Sequence, residues 1–371
     1  MMALLQVRSS PIPRLRPRIL RPAIKSQRYR RQASSPLNCS PILLVYPGQT
    51  AMAELLFNIK GQLKLLQQSL LPPKATFSPD QIPDLTGKVT LVTGGNTGVG
   101  YEIVKELLRH NAKVYLAARS EEKATVAIER LKKETGKEAH FLHLDLGNIA
   151  SVRKAAEDFL AKETALHTLF NNAGVMWSPV ADVTADGYDL QFGTNVLGHF
   201  LLTKLLLPAL LKGKESSGDG HARVITTTSP YAYIGHINFD TLKDGPARRK
   251  QSTEVLYQQS KLGDILVAFE LARRYGEQGI VSVTLHPGIL KTDLLRHTNF
   301  VKRAALESVY YPPAMGALTP LYAGTTPEGL KLNGKYLIPW AREAEVYNKE
   351  AYDEDLARRL WEWLEEQVKA T

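Results

Sequence analysis

From Leu85 onward the chain alternates short, unbroken apolar runs with longer amphipathic stretches. The runs are KVTLVT (88–93), KVYLAA (113–118), AHFLHL (139–144), LHTLFN (166–171), RVITTTS (223–229) and VSVTLH (281–286). Between them the apolar spacing predicts helices over 98–110, 121–136, 149–163, 186–212 and 254–276. A strand buried on both faces reads as a continuous apolar run, and each parallel return needs a helical crossover. The expected fold class is therefore α/β, a doubly wound parallel sheet with helices on both faces. Sheets of this kind bind ligands beyond the carboxyl ends of their strands.

The formal charge of +10 does not belong to that region. Twelve of the 47 Lys and Arg and two of the 37 acids, Glu54 and Asp80, fall in residues 1–80, leaving 35 of each elsewhere. A neutral domain offers no basic face, so no nucleic-acid partner is expected. Residues 1–53 lack acids and are rich in Arg and Ser, the composition of a transit peptide. Pro11, Pro13, Pro17 and Pro22 break the amphipathic helix such a peptide uses. A disordered tail, or a true start at Met52, fits the same residues. Residues 54–71 space Leu55, Leu56, Ile59, Leu63, Leu66 and Leu70 near helical period, as a helix docked on protein or as one lying on a membrane surface. Pro72-Pro73 ends that helix and a linker runs to Pro83. The expected organisation is thus a leader (1–53), a helix with linker (54–83) and a catalytic domain (84–371). The location is cytoplasmic or at a membrane surface, and mitochondrial if the leader is a transit peptide. No run of about 18 apolar residues predicts a transmembrane helix. Cys39 is the one cysteine, which excludes a disulfide framework, and no metal-ligand spacing occurs.

The strand ends carry the chemistry. The first run closes with Thr93-Gly94-Gly95-Asn96-Thr97-Gly98-Val99-Gly100. Gly94 permits a sharp turn, Gly98 lets backbone approach a pyrophosphate, and Gly100 lets the helix pack closely on the strand. The helix N-terminus adds free N–H groups and a positive dipole end. The spacing is T-G-x-x-x-G-x-G, not G-x-G-x-x-G. At the second strand end an NAD site usually offers an acid to the ribose hydroxyls, whereas Arg119 suits a 2′-phosphate. The competing reading is an Arg that merely faces solvent. Asp145, at the third, accepts from an adenine amino group or caps the next helix. Asn171-Asn172-Ala173-Gly174 closes the fourth, where small residues let a cofactor pass. Tyr257 and Lys261 lie four apart on a helix and share a face. A nearby ammonium favours phenolate and brings a phenol closer to useful acid–base range. The polar strand end Thr226-Thr227-Thr228-Ser229 and Asn195 in the long helix give that pair weight.

With TGGNTGVG, NNAG, Asn195, Ser229, YQQSK and HPGILKTD (286–293) in this order, residues 84–340 resemble the classical short-chain dehydrogenases/reductases. Within that family the chain is similar to the retinol dehydrogenase and WW-domain oxidoreductase branch. It is more similar still to fungal relatives with segments like LTGKV, TNVLGHF and NGKYLIPW. The resemblance implies a Rossmann-type sheet of seven parallel strands and a catalytic tetrad of Asn195, Ser229, Tyr257 and Lys261. It implies that Tyr257 exchanges the proton with the substrate oxygen, Ser229 orients that oxygen, Lys261 lowers the Tyr257 pKa and holds the nicotinamide ribose, and Asn195 anchors a water. Pro287, Gly288 and Thr292 would meet the nicotinamide amide.

Two departures affect substrate pose. Ser229 and Tyr257 stand 28 positions apart, and the inserted loop should line the substrate mouth; Pro230 directly follows Ser229. His199 and His286 read as packed structural histidines. Of Trp361 and Trp363, two apart on one helix, one is expected to pack on the domain. Residues 296–325, with Tyr310, Tyr311 and Met315, are expected either to close over a bulky apolar substrate or to pack in the core. The expected function is hydride transfer between NADP(H), or NAD as the alternative, and a lipophilic alcohol or carbonyl, with secondary metabolism as a setting. A lipid alcohol oxidoreductase at a membrane surface and a cofactor-binding sensor without turnover are the rivals. A homodimer through the helix carrying Tyr257 is expected by analogy alone.

Overall fold

The computed structural model describes residues 72–290 and 311–369. The expectations placed on the leader, on residues 54–71, on Thr292 and on Tyr310 lie outside these residues. Among the described residues, eight strands form one sheet in the order β3-β2-β1-β4-β5-β6-β7-β8. They are β1 Val89–Thr93, β2 Lys113–Ala118, β3 His140–His143, β4 Thr168–Asn171, β5 Ala222–Thr227, β6 Ile280–Leu285, β7 Lys335–Ile338 and β8 Arg342–Ala344. The first seven are mutually parallel, as expected. The eighth, not anticipated, pairs antiparallel with β7. A three-residue turn makes this possible: Ala341, at φ 61°, bends the chain back so that Ile338 faces Arg342.

Helices cover both faces. Against one pack α3 Ile149–Leu160, α4 Leu190–Ser216 and α5 Thr253–Tyr275, through Val152, Phe159, Phe200 and Leu266. Against the other pack α1 Gly98–Arg109, α2 Glu121–Thr135 and α6 Pro313–Thr325, through Ile103, Leu107, Leu131 and Leu321. All five residues of β1 and all six of β6 are buried, which explains their unbroken apolar sequence. The strand order reverses between β2 and β4 on either side of β1, so a crevice opens at the carboxyl ends there.

Helix α4 starts at Leu190, later than periodicity suggests, because the Asp189 carboxylate accepts from the N–H groups of Gln191 and Phe192 and caps it there. It is apolar enough by length and composition to cross a membrane, but 72% of its most apolar window is buried inside the fold. A π-turn at Gly193–Leu197 interrupts it and carries Asn195.

The last helix, α7 Glu354–Lys369, lies across α4 and α5. Trp361 is 1% exposed, edge-on to Phe200 of α4 at 4.9 Å and beneath the Arg274 guanidinium of α5. Trp363 packs as well, against Tyr188, Phe192 and Phe239. The expectation that one of the two packs is corrected: α7 is wedged between the helix pair and the loops beside it, so two of its sides meet protein. Within residues 311–325 the core reading holds. Tyr311 packs edge-on to Trp340 at 5.1 Å, Met315 packs on the same core, and α6 buries Ala317 and Leu321.

Candidate active site

The loop from β1 into α1 is held by one hydroxyl. Thr93 Oγ1 accepts from the backbone N–H of Asn172 and of Ala173, which ties the end of β4 to the end of β1. The Asn172 side chain donates to the Thr93 carbonyl at 3.0 Å. Gly94 has φ 67°, a left-handed turn that a side chain would strain. A Cβ on Gly100 would lie 2.2 Å from the Gly94 carbonyl oxygen, so only glycine closes this cradle. Thr97 stands at the N-cap position of α1 in extended backbone, Asn96 is half-buried, Gly98 has φ 58°, and Val99 turns its side chain into the core. The first turn of α1 carries no acid, which leaves its positive end free to meet an anion. This cradle fits the pyrophosphate of a dinucleotide cofactor.

Beside it an open cleft of about 560 Å³ is lined by Arg119, Asp145, Gly147, Val175 and Thr194, among others. Arg119 is exposed at the end of β2. Asp145 does not cap α3; Asn148 does, accepting from Ser151 N–H at 3.1 Å. Asp145 instead accepts from the Gly147 N–H, and its side chain lines the cleft. Across the crevice, Gly288 (φ 95°) follows Pro287 at the end of β6 and runs against Trp340. His286 is fully buried and burial pushes it down to about 3, so it stays neutral and packs.

Tyr257, Ser229, Lys261 and Asn195 converge near the carboxyl ends of β4, β5 and β6. All four are buried. Tyr257 and Ser229 share a hydrogen bond. Burial raises the Tyr257 phenol above its ordinary value, while the Lys261 ammonium and the Ser229 hydroxyl pull it down. Lys261 Nζ lies 5.9 Å from the Tyr257 ring centre and donates to the Thr227 carbonyl and to Asp264 Oδ2, at 3.2 and 2.8 Å. Gly174 runs close to Asn195: a Cβ on it would lie 3.1 Å from Asn195 Oδ1, tighter than an ordinary contact. The Asn195 side chain is engaged on both ends: its Oδ1 accepts from Val175 N–H and its Nδ2 donates to the Val175 carbonyl and to Ser260 Oγ.

A family model described as short chain dehydrogenase matches residues 88–241. A short-chain dehydrogenase/reductase of Armillaria gallica is 55% identical over 83% of this chain and 99% of its own length. The chain belongs to the short-chain dehydrogenase/reductase family. Human retinol dehydrogenase 11 is 38% identical over 75% of this chain and 85% of its own length. Among solved structures, a blue fluorescent protein from a metagenomic library, in complex with NADPH, is 26% identical over 68% of this chain and 96% of its own, with a TM-score of 0.53. The chain is therefore an oxidoreductase by family, with a site built for a nicotinamide cofactor.

Two features of this dehydrogenase escaped the sequence reading. Asp264 is fully buried against Lys261, one turn along the same helix; an acid three residues from a key lysine was the available signal. Trp177 and Tyr231 stand over Tyr257 as an aromatic wall, with Tyr231 5.7 Å from the Tyr257 ring and 6.0 Å from Trp177. Tyr231 comes from the inserted loop, so that loop does reach the mouth of the site. Trp177 has φ 54°, a conformation that residue type alone does not announce. His199 is buried, as the packed histidine expected from the sequence. Its Nδ1 meets the Asn195 carbonyl and its Nε2 meets Thr93 Oγ1, both at 2.9 Å. A ring nitrogen facing a carbonyl must carry the proton, so Nδ1 donates and Nε2 accepts from the threonine. Burial pushes His199 down to about 4, which keeps it neutral. It bridges the π-turn of α4 to the glycine loop.

Proposed function

We propose that this dehydrogenase/reductase interconverts a lipophilic carbonyl compound and its alcohol, using NADP(H), with carbonyl reduction favoured. The observation that supports this most is the buried Tyr257 phenol, hydrogen-bonded to Ser229 and flanked by the Lys261 ammonium. Bound nicotinamide would supply or take the hydride. The rest is proton transfer and positioning. In reduction the Tyr257 hydroxyl gives its proton to the substrate oxygen, and in oxidation the phenolate takes it back. Ser229 donates to the same oxygen and fixes its direction. Lys261 stabilises the phenolate and would hold the nicotinamide ribose. Asn195, its side chain spent on Val175 and Ser260, braces the loop after β4 against α5 rather than touching substrate. Gly94, Gly98 and Gly100 would cradle the pyrophosphate with the N–H groups of α1. Asp145 would meet the adenine, and Asn172, Ala173, Gly174, Pro287 and Gly288 would line the path to the nicotinamide. Trp177 and Tyr231 favour a flat or bulky apolar substrate over a small polar one.

Arg119 supports the choice of NADP(H), since it stands at the rim of the adenine-side cleft, where a 2′-phosphate would sit. Titrating the full chain with NADPH and NADH by tryptophan fluorescence should show the tighter binding for NADPH. Arg119→Ala should weaken NADPH by about tenfold, in line with a charged hydrogen bond, and leave NADH nearly unchanged. Equal affinities in the native protein would refute the NADP assignment.

The similar proteins carry no information on assembly, but α7 does. It occupies the α4–α5 face, where Trp361 and Lys204–Glu365 close the surface. Pairing through that face of α5 would require α7 to leave. The expected result of light scattering on the full chain is a monomer; a stable dimer of the full chain would contradict it.

A further inference from the structure

Asp264 takes no part in the reaction above, yet it is 3% exposed and its carboxylate sits 2.8 Å from Lys261 Nζ. Among the described residues it is the one carboxylate paired with that lysine. The pair is locked from both ends: Lys261 also donates to the Thr227 carbonyl, and its own carbonyl accepts from Thr228 Oγ1. Asp264 also borders a small cavity of about 20 Å³, with Asn171, Thr226, Lys204 and Trp361 in its lining, enough for about one water. Asn171 Oδ1, buried in the same lining, has no hydrogen-bond partner among the described residues and would receive that water.

We propose that Asp264 is a positioning residue for the Tyr257–Lys261 pair: it pins Lys261 Nζ and sets the pH at which the pair gives up its first proton. The inference rests on the reading of Tyr257 as the proton donor. A buried carboxylate beside an ammonium holds protons on both neighbouring groups, because a negative charge always disfavours further negative charge nearby. Burial alone would lower Lys261, but Asp264 and Tyr257 outweigh it and hold the ammonium above its ordinary value. Burial lifts Asp264 itself to about 6 against the pull of Lys261. The other titratable groups nearby leave the assignment intact. His199, across on α4, is held neutral by burial. Lys204, at the far side of the cavity, is paired with Glu365 of α7. Tyr231 faces Tyr257 and is itself raised by burial.

The test is Asp264→Asn in the full chain, with Asp264→Ser, which leaves room for water, as the second variant. The pH profile of carbonyl reduction with NADPH is measured beside a titration of tyrosinate absorbance. In that titration each protein is compared with its Tyr257→Phe counterpart, so Tyr257 is seen without turnover. The alkaline limb of reduction should move to lower pH by about one unit or more, as expected for loss of a charge within a few ångströms. The Tyr257 titration should move to lower pH as well, since Asp264 raises that phenol in the native protein. A folded variant with both profiles unmoved overturns the proposal. So does failure of both variants to fold, which would make Asp264 a structural residue only. Absence of reduction in the wild type, or its survival in Tyr257→Phe, would instead defeat the functional reading, and the tyrosinate titration would still decide the role of Asp264.

Discussion

Tyr257→Phe should lower carbonyl reduction by about 10²–10⁴-fold while NADPH affinity stays within about twofold, the range expected when one proton donor is removed and little else. The substitution deletes a single oxygen. The ring that remains keeps its edge-on contact with Tyr231 and its place on α5, so packing is conserved. Lost are the hydrogen bond with Ser229 and the proton itself. The substrate oxygen would then gain charge with only Ser229 to meet it. Ser229→Ala should do less damage, because it removes orientation and one hydrogen bond but leaves the acid. The measurement is the initial rate of NADPH consumption, paired with equilibrium binding of the same cofactor. A variant that keeps more than about a tenth of native activity would remove Tyr257 from the role of acid. A protein that only bound cofactor would show no difference between the two chains, since it would have no turnover to lose.

How much of this could be read beforehand follows from the kind of force involved. The strands were legible because both faces of β1, β5 and β6 are buried, and burial on two faces writes itself as consecutive apolar residues. Tyr257 and Lys261 were legible because helical spacing fixes which residues share a face. The short hairpin of β7 and β8 was not, since its apolar run is only Tyr336-Leu337-Ile338 and is cut off by Pro339. Nor was the π-turn that turns Asn195 toward Val175 and Ser260: periodicity over 186–212 reports a helix and is blind to one extra residue in a turn. Asp145 and Asn148 show a third limit. Both are good helix caps by residue type, and only the backbone decides that Asn148 takes the cap and leaves Asp145 to the cleft. Asp264 shows a fourth. A buried carboxylate on a helix three positions past a lysine is ordinary as a surface pattern. Its significance comes from burial, which periodicity on an all-round buried helix such as α5 does not reveal.

The second large effect concerns the walls of the site rather than its chemistry. Arg248 comes from the inserted loop and is 1% exposed, with its guanidinium used in four directions. It donates to Asp189 Oδ2, to Asp244 Oδ1 and to the carbonyls of Val180 and Asp182, at 3.0, 3.0, 2.7 and 2.6 Å. The inserted loop is thereby tied to the segment after Trp177 and to the cap of α4. Arg248→Ala leaves the Asp189 carboxylate buried without its cation, and breaking a buried pair from one side costs about 3–5 kcal/mol. A urea midpoint should fall accordingly, with an unchanged slope if the fold is retained. The pH dependence has a definite sign. Burial already raises Asp189 above its ordinary value, against the pull of Arg248 and the N–H groups of Gln191 and Phe192. Removing Arg248 raises it further, so the variant's Asp189 takes up a proton as pH falls while the native one still resists. The stability deficit should be full at neutral pH and shrink as the solution is acidified through the raised pKa. Trp177 and Tyr231 would lose their support together, so KM for a bulky carbonyl should rise more than kcat falls. A variant with native stability at neutral pH would show that the loop is held by something other than this guanidinium, and the aromatic wall would need another anchor.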